Sequence, residues 1–223
     1  MNPLEYLHLQ LRLEGKEVTT GTLLRQVEVV PDEDMPLMLV AQLADQRLIT
    51  YFDETLPMEL RLRLQERIPN IAYPNIEPVL TLLQQENIPF DIGHYKTLVV
   101  PESYASFQDK EVKRYLRSDP QAVGLDGPAE EMFGIEDDGQ IISSCVSTRE
   151  NAFCGEAWVY TDEDHRHQGL AQKVVSAWAA SLLNVGKVPF YSHKITNTAS
   201  ANLAKRLALQ PAFEEIVISY TNV

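Results

Sequence analysis

In the first half of the chain, apolar residues form short segments that are separated by prolines. Residues 48–52 and 97–100 are rich in β-branched and aromatic side chains and predict strands. Leu60, Leu64 and Ile68 recur every four residues, which predicts one apolar stripe along a helix. The predicted helices of this half span about 57–68, capped by Asp53 or Thr55, 77–86, capped by Asn75, and 108–117, which is short and charged.

The second half changes to a regular alternation of strands and helices. Residues 132–135 and 141–146 flank an Asp-Gly turn and predict a β-hairpin. The apolar stripe of 169–183, which ends at Asn184 and Gly186, predicts a long helix. Strands are predicted at 156–161, 188–192 and 213–220, and a further helix at 198–207. This order predicts a mixed α/β sheet. We place a boundary near residue 94, which gives an N-terminal region 1–94 and a second domain 95–223.

Composition and charge restrict the classes of function. The 223 residues suffice for one large or two small domains, and an apolar fraction of 44% with 23% charged residues is ordinary for a folded soluble protein. The chain has 19 Lys and Arg against 32 Asp and Glu, a net charge of −13. Such a surface repels phosphate backbones, so we expect no nucleic-acid partner. It favours a cationic substrate, although solubility alone explains it equally well.

We expect neither a membrane span nor a secretory leader. The longest apolar runs, such as 36–44, are far shorter than the roughly 20 residues that cross a bilayer. The N-terminus carries Glu5 and lacks a basic segment followed by an apolar one. Two cysteines, Cys145 and Cys154, are too few for a disulfide scaffold and are expected to be buried free thiols. The expected location is the cytoplasm.

The junction between the strand at 156–161 and the helix at 169–183 carries the most informative residues. A helix N-terminus presents unpaired amides and the positive end of a dipole, where a diphosphate fits. Gly169 removes a side chain where an oxyanion would approach the backbone, and Arg166 adds a positive charge. An ordinary glycine near a helix start would give the same short pattern, so both interpretations stay open on these residues alone.

Two motifs taken together resemble the GNAT superfamily of acetyl-CoA-dependent N-acetyltransferases. Arg166-x-x-Gly169-x-Ala171 matches the family signature Arg/Gln-x-x-Gly-x-Gly/Ala. After the helix and the next strand, Asn197-x-x-Ser200 opens a segment that is similar to the closing pattern of the family. The resemblance covers roughly residues 130–223. It implies a mixed, mostly antiparallel sheet with splayed central strands flanked by helices, to which residues 1–94 add an α/β region without an assigned role.

The resemblance implies a binding site for acetyl-CoA. The backbone of 159–161 would pair with the pantetheine arm, and the amides of 167–171 would hold the pyrophosphate. Asn197 would contact the cofactor near its thioester, although its position also suits a helix N-cap. Lys205 and Arg206 either face the 3′-phosphate or form a solvated helix face. The implied cofactor-binding residues are Val159, Tyr160, Thr161, Arg166, His167, Gln168, Gly169, Leu170, Ala171, Asn197 and Ser200.

The sequence departs from the family pattern at several positions. Many members carry a Tyr seven residues after the Asn, where it protonates the departing thiolate, and this chain has Ala204 there. Ala208 and Leu209 replace a Gly and a Phe of the family. The loop residues 162–164 are acidic and would repel a diphosphate unless they point away. The acidic and histidine side chains of this loop lack the spacing of a metal site, so none is expected.

The implied reaction is direct transfer from the thioester to a neutral amine, which requires no nucleophile in the protein. We predict Glu156 as the base and Tyr191 as a replacement acid, with His193 as a further candidate. A surface carboxylate and a packed aromatic ring are the structural alternatives for the first two. We expect an N-acetyltransferase for a primary amine of a small molecule, and family analogy adds a homodimer. A GNAT fold that binds acyl-CoA without catalysis is the alternative, because Ala204 replaces the Tyr.

Overall fold

Residues 1–30, 35–119 and 129–221 are described in a computed structural model of the protein. Within them lie the helices α1 (Pro3–Leu13), α2 (Met58–Gln65), α3 (Glu77–Gln85), α4 (Leu170–Asn184) and α5 (Thr198–Arg206), with 3-10 turns at Ile68–Asn70, Glu102–Ser106 and Glu163–His165. The strands are β1 (Lys16–Val18), β2 (Leu23–Gln26), β3 (Met38–Leu43), β4 (Leu48–Asp53), β5 (Phe90–Val99), β6 (Lys113–Leu116), β7 (Glu131–Asp137), β8 (Gln140–Glu150), β9 (Cys154–Thr161), β10 (Val188–Lys194) and β11 (Gln210–Tyr220).

The chain divides into two compact units. The first is Met1–Lys96 together with the chain from Ala212 onward, and the second is Thr97–Pro211. In the first unit the strands are hydrogen-bonded in the order β1-β2-β4-β3-β11-β5. Its core lies where α2 and α3 bury Leu64, Val79 and Leu82 against Phe52 of β4 and Ile216 of β11.

In the second unit the order is β5-β10-β9-β8-β7-β6. Antiparallel pairing joins β6 to β7, β7 to β8 and β8 to β9, whereas β9 and β10 are parallel. Helix α4 packs Val174, Val175 and Trp178 into an apolar cluster with Phe133 of β7 and Cys145 of β8. The predicted mixed and mostly antiparallel sheet is confirmed.

Strands β9 and β10 pair over only part of their length. The ladder joins residues 154–156 to residues 188–190. Strand β9 continues to Thr161 and β10 continues to Lys194, and among the described residues no ladder pair joins them beyond Glu156 and Phe190. The edge of β9 past Glu156 is therefore open toward β10. The gap between these two strands of the second unit is a candidate binding site.

The helix predicted at 108–117 is wrong. The 3-10 turn Glu102–Ser106 precedes this stretch, and strand β6 (Lys113–Leu116) occupies its second half. Tyr115 is buried while its neighbours are exposed, and it lies opposite Met132 in the antiparallel register with β7. Charged residues favour a helix on propensity, but burial of one side chain in a ladder outweighs the few tenths of a kcal/mol per residue involved.

Two helix starts also differ from prediction. Asp53 Oδ1 accepts a hydrogen bond from the Thr55 amide in a turn, at 2.8 Å, so it does not cap α2, whose N-cap is Pro57. Asn75 Oδ1 accepts from the Glu77 amide at 2.9 Å, one residue before the N-cap Ile76. Helix α1 was not predicted, although Asn2 and Glu5 form a capping box at its start.

None of the described helices has the length and hydrophobicity needed to cross a membrane.

Candidate active site

A cavity of about 480 Å³ lies in the second unit beside the unpaired end of β9. Its walls come from β9, the loop that follows it, the first turn of α4, strand β10 and helix α5. The sequence predicts eleven cofactor-binding residues, and all of them except Gln168, which is exposed, line this cavity. The lining residues are Val159, Tyr160, Thr161, His165, Arg166, His167, Gly169, Leu170, Ala171, Gln172, Tyr191, Asn197, Ala199, Ser200, Asn202, Leu203 and Arg206.

The loop before α4 turns sharply through two residues with a left-handed backbone. His167 has φ +65° and Gly169, the N-cap of α4, has φ +81°. A Cβ atom added at Gly169 would have only Gln172 Oε1 within 4 Å, at 3.7 Å, so the space in front of this glycine is open. The left-handed backbone and the open space together explain why a glycine begins this helix.

A run of backbone amides at this loop is left without an internal acceptor. The Lys173 amide donates to the Gly169 carbonyl oxygen at 3.3 Å and makes the first hydrogen bond of the helix. Within the part of the chain that the structure describes, the amides of residues 167–172 make no hydrogen bond. No side chain caps α4 either. Unpaired amides at the positive end of a helix dipole form a site for an anion.

The positive side chains of the loop are held by short-range contacts. Arg166 donates from Nε to the Thr161 carbonyl oxygen at 3.3 Å, and its Nη1 lies 3.2 Å from Glu163 Oε1. His165 Nδ1 lies 3.3 Å from Asp162 Oδ1, and its Nε2 lies 3.5 Å from Asp137 Oδ2. Hydrogen bonding to Asp162, and then to Asp137, raises the pKa of His165. The His165 ring at the cavity wall therefore keeps its positive charge to a higher pH than an ordinary histidine side chain does.

The acidic residues of the loop do not line the cavity. Asp162 Oδ1 accepts from the Asp164 amide at 3.0 Å, and the hydrogen bond from His165 is the main cause that lowers the pKa of Asp162. The exposed Glu163 side chain pairs with Arg166. The sequence analysis required these acids to point away from a bound anion. Their absence from the cavity lining agrees with that requirement.

Asn197 combines the two roles that the sequence left open. It is the N-cap of α5, and its Oδ1 accepts from the Ser200 amide at 3.0 Å. It also lines the cavity, where the amide nitrogen of its side chain is not required for capping. The helix cap therefore fixes the position of Asn197 at the cavity wall.

Residues 132–215 match the family model described as GNAT acetyltransferase. This segment is therefore similar to the GNAT acetyltransferases. It contains the cavity-lining residues of β9, the loop, α4, β10 and α5. The resemblance predicted from the two motifs is confirmed.

Solved structures from three bacteria are similar to this chain at low identity. A GNAT-family protein from Novosphingobium aromaticivorans is 16% identical, with 59% of this chain and 66% of that chain covered and a TM-score of 0.48. This chain therefore spans just under two thirds of that protein. A GCN5-related N-acetyltransferase-like protein from Streptococcus suis is 14% identical, with 86% and 87% covered and a TM-score of 0.47. A GNAT-family acetyltransferase from Colwellia psychrerythraea is 12% identical, with 86% and 84% covered and a TM-score of 0.48. No curated protein matches significantly.

Tyr191 lies on β10 at the cavity wall. Tyr191 is only 4% exposed, and Ser200 lines the same cavity. Burial raises the pKa of Tyr191, so the phenol keeps its proton through neutral pH. Ala204 of α5, at the family Tyr position, is buried in the same apolar cluster as the Tyr191 ring.

The structure does not bring Glu156 to the cavity. Its carboxylate is buried and accepts a hydrogen bond from Arg149 Nε at 2.8 Å and a second one from Arg149 Nη2. These two hydrogen bonds commit the carboxylate to Arg149, away from the cavity lining. His193 is also absent from the lining, and its Nδ1 lies 2.9 Å from the Lys194 carbonyl oxygen.

The remaining sequence candidates are the two cysteines, a metal site and the basic side chains of α5. Cys145 and Cys154 are buried free thiols, as predicted, and burial raises the pKa of Cys145 and raises that of Cys154 to about 11. Among the residues described, no group of three or more His, Cys, Asp or Glu side chains is arranged to hold a metal. Arg206 lines the cavity and Lys205 does not. The lining also includes His165, Gln172, Asn202 and Leu203, which were not predicted, although Gln172 lies in the first turn of α4, three residues after Gly169.

Proposed function

We propose that the second unit binds acetyl-CoA in this cavity and transfers the acetyl group to a primary amine of a small molecule. The observation that carries the proposal is the run of unpaired amides at 167–172 beside an open cavity wall. A diphosphate needs donors without competing acceptors, and the loop offers them where α4 adds the positive end of its dipole. Arg166 adds positive charge at the same wall, and the raised pKa of His165 favours the charged form of its ring there.

The open edge of β9 fits the remainder of the cofactor. Residues 159–161 line the cavity and have no ladder partner on β10. On this edge the backbone of Val159 is available to an extended chain that adds to the sheet, as in β-strand addition, whereas the Thr161 carbonyl oxygen already accepts from Arg166 Nε. When bound, acetyl-CoA supplies an acetyl group that is activated as a thioester.

Tyr191 is the residue that we assign to proton donation. In direct transfer the amine nitrogen forms a bond to the acetyl carbon, the carbon–sulfur bond breaks, and the amine releases a proton to the solvent of the open cavity. The thiolate that leaves needs a proton, and the phenol of Tyr191 holds one at the cavity wall. In this arrangement Tyr191 takes the place of an acid on α5, where Ala204 is buried in the same apolar cluster as the Tyr191 ring.

Two tryptophan substitutions on one helix test cofactor binding. Gly169→Trp would place an indole in the open space before the amides and should abolish acetyl-CoA binding in calorimetry at millimolar cofactor. Gly186→Trp is the matched control, because Gly186 has φ +77°, has open space around its Cβ position and lies just beyond the other end of α4. Both variants carry the same backbone strain of about 1–2 kcal/mol. Absence of binding in the unmodified chain, or equal binding by both variants, would contradict the proposal.

A binding module without catalysis is the second candidate function, and Ala204 is the observation that favours it. Release of free CoA thiol in the presence of primary amines distinguishes the two. An enzyme releases thiol in proportion to the amine that is added, whereas a binding module retains acetyl-CoA and releases none above the rate of hydrolysis in buffer.

A further inference from the structure

The tip of the hairpin between β7 and β8 lies beside the loop that precedes α4. Strand β7 ends at Asp137 and β8 begins at Gln140, and Asp138 and Gly139 form the turn between them. Asp137 Oδ2 lies 3.5 Å from His165 Nε2. His165 lines the cavity assigned to acetyl-CoA and Asp137 does not, so an acid outside the cavity contacts a side chain of its wall.

His165 bridges two carboxylates through its two ring nitrogens. Nδ1 lies 3.3 Å from Asp162 Oδ1, and Nε2 faces Asp137. A neutral imidazole has one N–H group and donates to one of these acids, whereas an imidazolium donates to both. The geometry therefore fits the charged ring, and it agrees with the raised pKa of His165, which Asp162 and then Asp137 cause.

The other charged groups around this wall form no ion pair with the His165 ring among the residues described. Arg166 pairs with Glu163, and the Asp164 side chain is exposed. Arg206 reaches the cavity from α5. The two acids that bridge through His165 are thus the charged groups that hold this ring in place.

The ion pair with Asp137 also ties the loop to the hairpin. Arg166 Nε donates back to the Thr161 carbonyl oxygen of β9, and the His165 amide donates to the Asp162 carbonyl oxygen at 3.1 Å inside the loop. Within the described parts of the chain, the His165–Asp137 ion pair is the one polar contact that joins residues 163–168 to a strand other than β9. Asp137 is therefore placed to fix the loop from outside.

We propose that Asp137 is a positioning residue, which acts through His165 to hold the loop before α4 in the conformation that receives a diphosphate. This inference rests on the proposed function, because it assigns the loop to the diphosphate of acetyl-CoA. The sign of the effect separates positioning from simple charge. As a surface charge, Asp137 repels an anion, so its removal would strengthen binding. As a partner that orients the His165 ring, its removal weakens binding.

Calorimetry of the full chain with acetyl-CoA at neutral pH tests this sign. We expect Asp137→Asn to raise the Kd about two- to fivefold, the scale of an exposed ion pair. Asp138→Asn is the matched control, because it removes the neighbouring charge of the same turn at a φ of +47°, which Asn accepts readily. The control should not raise the Kd. In a His165→Gln background, Asp137→Asn should have no further effect, because the residue acts through the ring.

Nuclear magnetic resonance titration of the His165 ring provides a readout that does not depend on a ligand. The pKa of His165 should fall toward its ordinary value in Asp137→Asn and stay raised in Asp138→Asn. An unchanged pKa in Asp137→Asn would overturn the bridge. Tighter binding of acetyl-CoA by Asp137→Asn, or the same loss with and without His165, would overturn the positioning role.

Inorganic pyrophosphate, as a second ligand in calorimetry, separates this inference from the proposed function. Pyrophosphate binding that Asp137→Asn weakens and Asp138→Asn does not weaken supports the positioning role, even if the chain fails to bind acetyl-CoA and the proposed function is thereby overturned. A chain that binds acetyl-CoA with equal affinity in all three forms overturns the role of Asp137 and leaves the cofactor site intact. Failure of both ligands to bind overturns both.

Discussion

Tyr191 gives a direct residue-scale test of the reaction. Replacing it with Phe keeps the ring in the apolar cluster and removes the proton that we assign to the leaving thiolate. We expect Tyr191→Phe to lower kcat about 100-fold, the usual scale for loss of a general acid, with unchanged affinity for acetyl-CoA in calorimetry. Tyr104→Phe is the control, since the Tyr104 hydroxyl donates to the Leu207 carbonyl oxygen at 2.7 Å, away from the cavity lining. A kcat that both variants lower equally would point to stability instead.

His165 makes a second residue-scale prediction, on pH. Its raised pKa keeps the ring charged above the ordinary value, and this charge favours an anionic cofactor. As the pH rises through the raised pKa, the charge is lost and the affinity for acetyl-CoA should fall. Calorimetry between about pH 6 and about pH 8 should show this decline in the unmodified chain and a flatter profile in His165→Gln. The same slope in both would exclude His165 as its source.

Gly169 and Glu156 show for which kinds of residue a functional role can be predicted from the sequence. Gly169 is specified locally, because a positive φ and an open space at a helix start require little from the rest of the fold. The environment of Glu156 depends on the register of β8 with β9, which places Arg149 opposite Glu156. A register shift between Ser147 and Arg149 sets that pairing. The seven-residue separation in sequence gave no indication that the carboxylate would be neutralised.

At the scale of elements, helix α5 can separate capping from cofactor contact. Asn197→Ala removes the oxygen that accepts from the Ser200 amide, and we expect it to lower the free energy of unfolding by about 1 kcal/mol. Asn197→Asp keeps that oxygen and adds a negative charge at the cavity wall. It should retain stability in denaturant unfolding and lose affinity for acetyl-CoA. A loss of stability equal to that of the Ala variant would show that the side-chain amide group stabilises the fold itself.

Elements with a long apolar stripe could be predicted, and elements set by pairing could not. Helix α4 presents Val174, Val175 and Trp178 to one cluster, and its stripe is visible in the sequence. Strand β6 has one buried side chain, Tyr115, among charged residues, and it is a strand because β7 supplies an edge. Helix α1 was overlooked although both signals are present in the sequence, a capping box of Asn2 and Glu5 and the apolar pair Leu7 and Leu11 one turn apart.

At the scale of the whole molecule, the ends of the chain meet in one unit. We placed a boundary near residue 94, whereas internal contacts divide the chain at Lys96 and group β11 with the N-terminal elements. The physical reason is the register of β11 with β3, which pairs Phe213–Ile218 with Met38–Leu43. A pairing over such a sequence distance leaves no local signal, because either strand alone has the same alternating pattern with any partner.

The net charge of −13 leads to a prediction for the whole molecule, because it opposes the approach of an anionic cofactor. Acetyl-CoA is an anion, so long-range repulsion slows its approach even though the loop attracts it at short range. Raising the ionic strength from about 0.01 M to about 0.1 M shortens the screening length from about 30 Å to about 10 Å. The association rate of acetyl-CoA in stopped-flow should therefore rise. A rate for acetyl-CoA that falls with salt would mean that the positive field of Arg166, His165 and the helix start reaches beyond the acidic surface and governs the encounter.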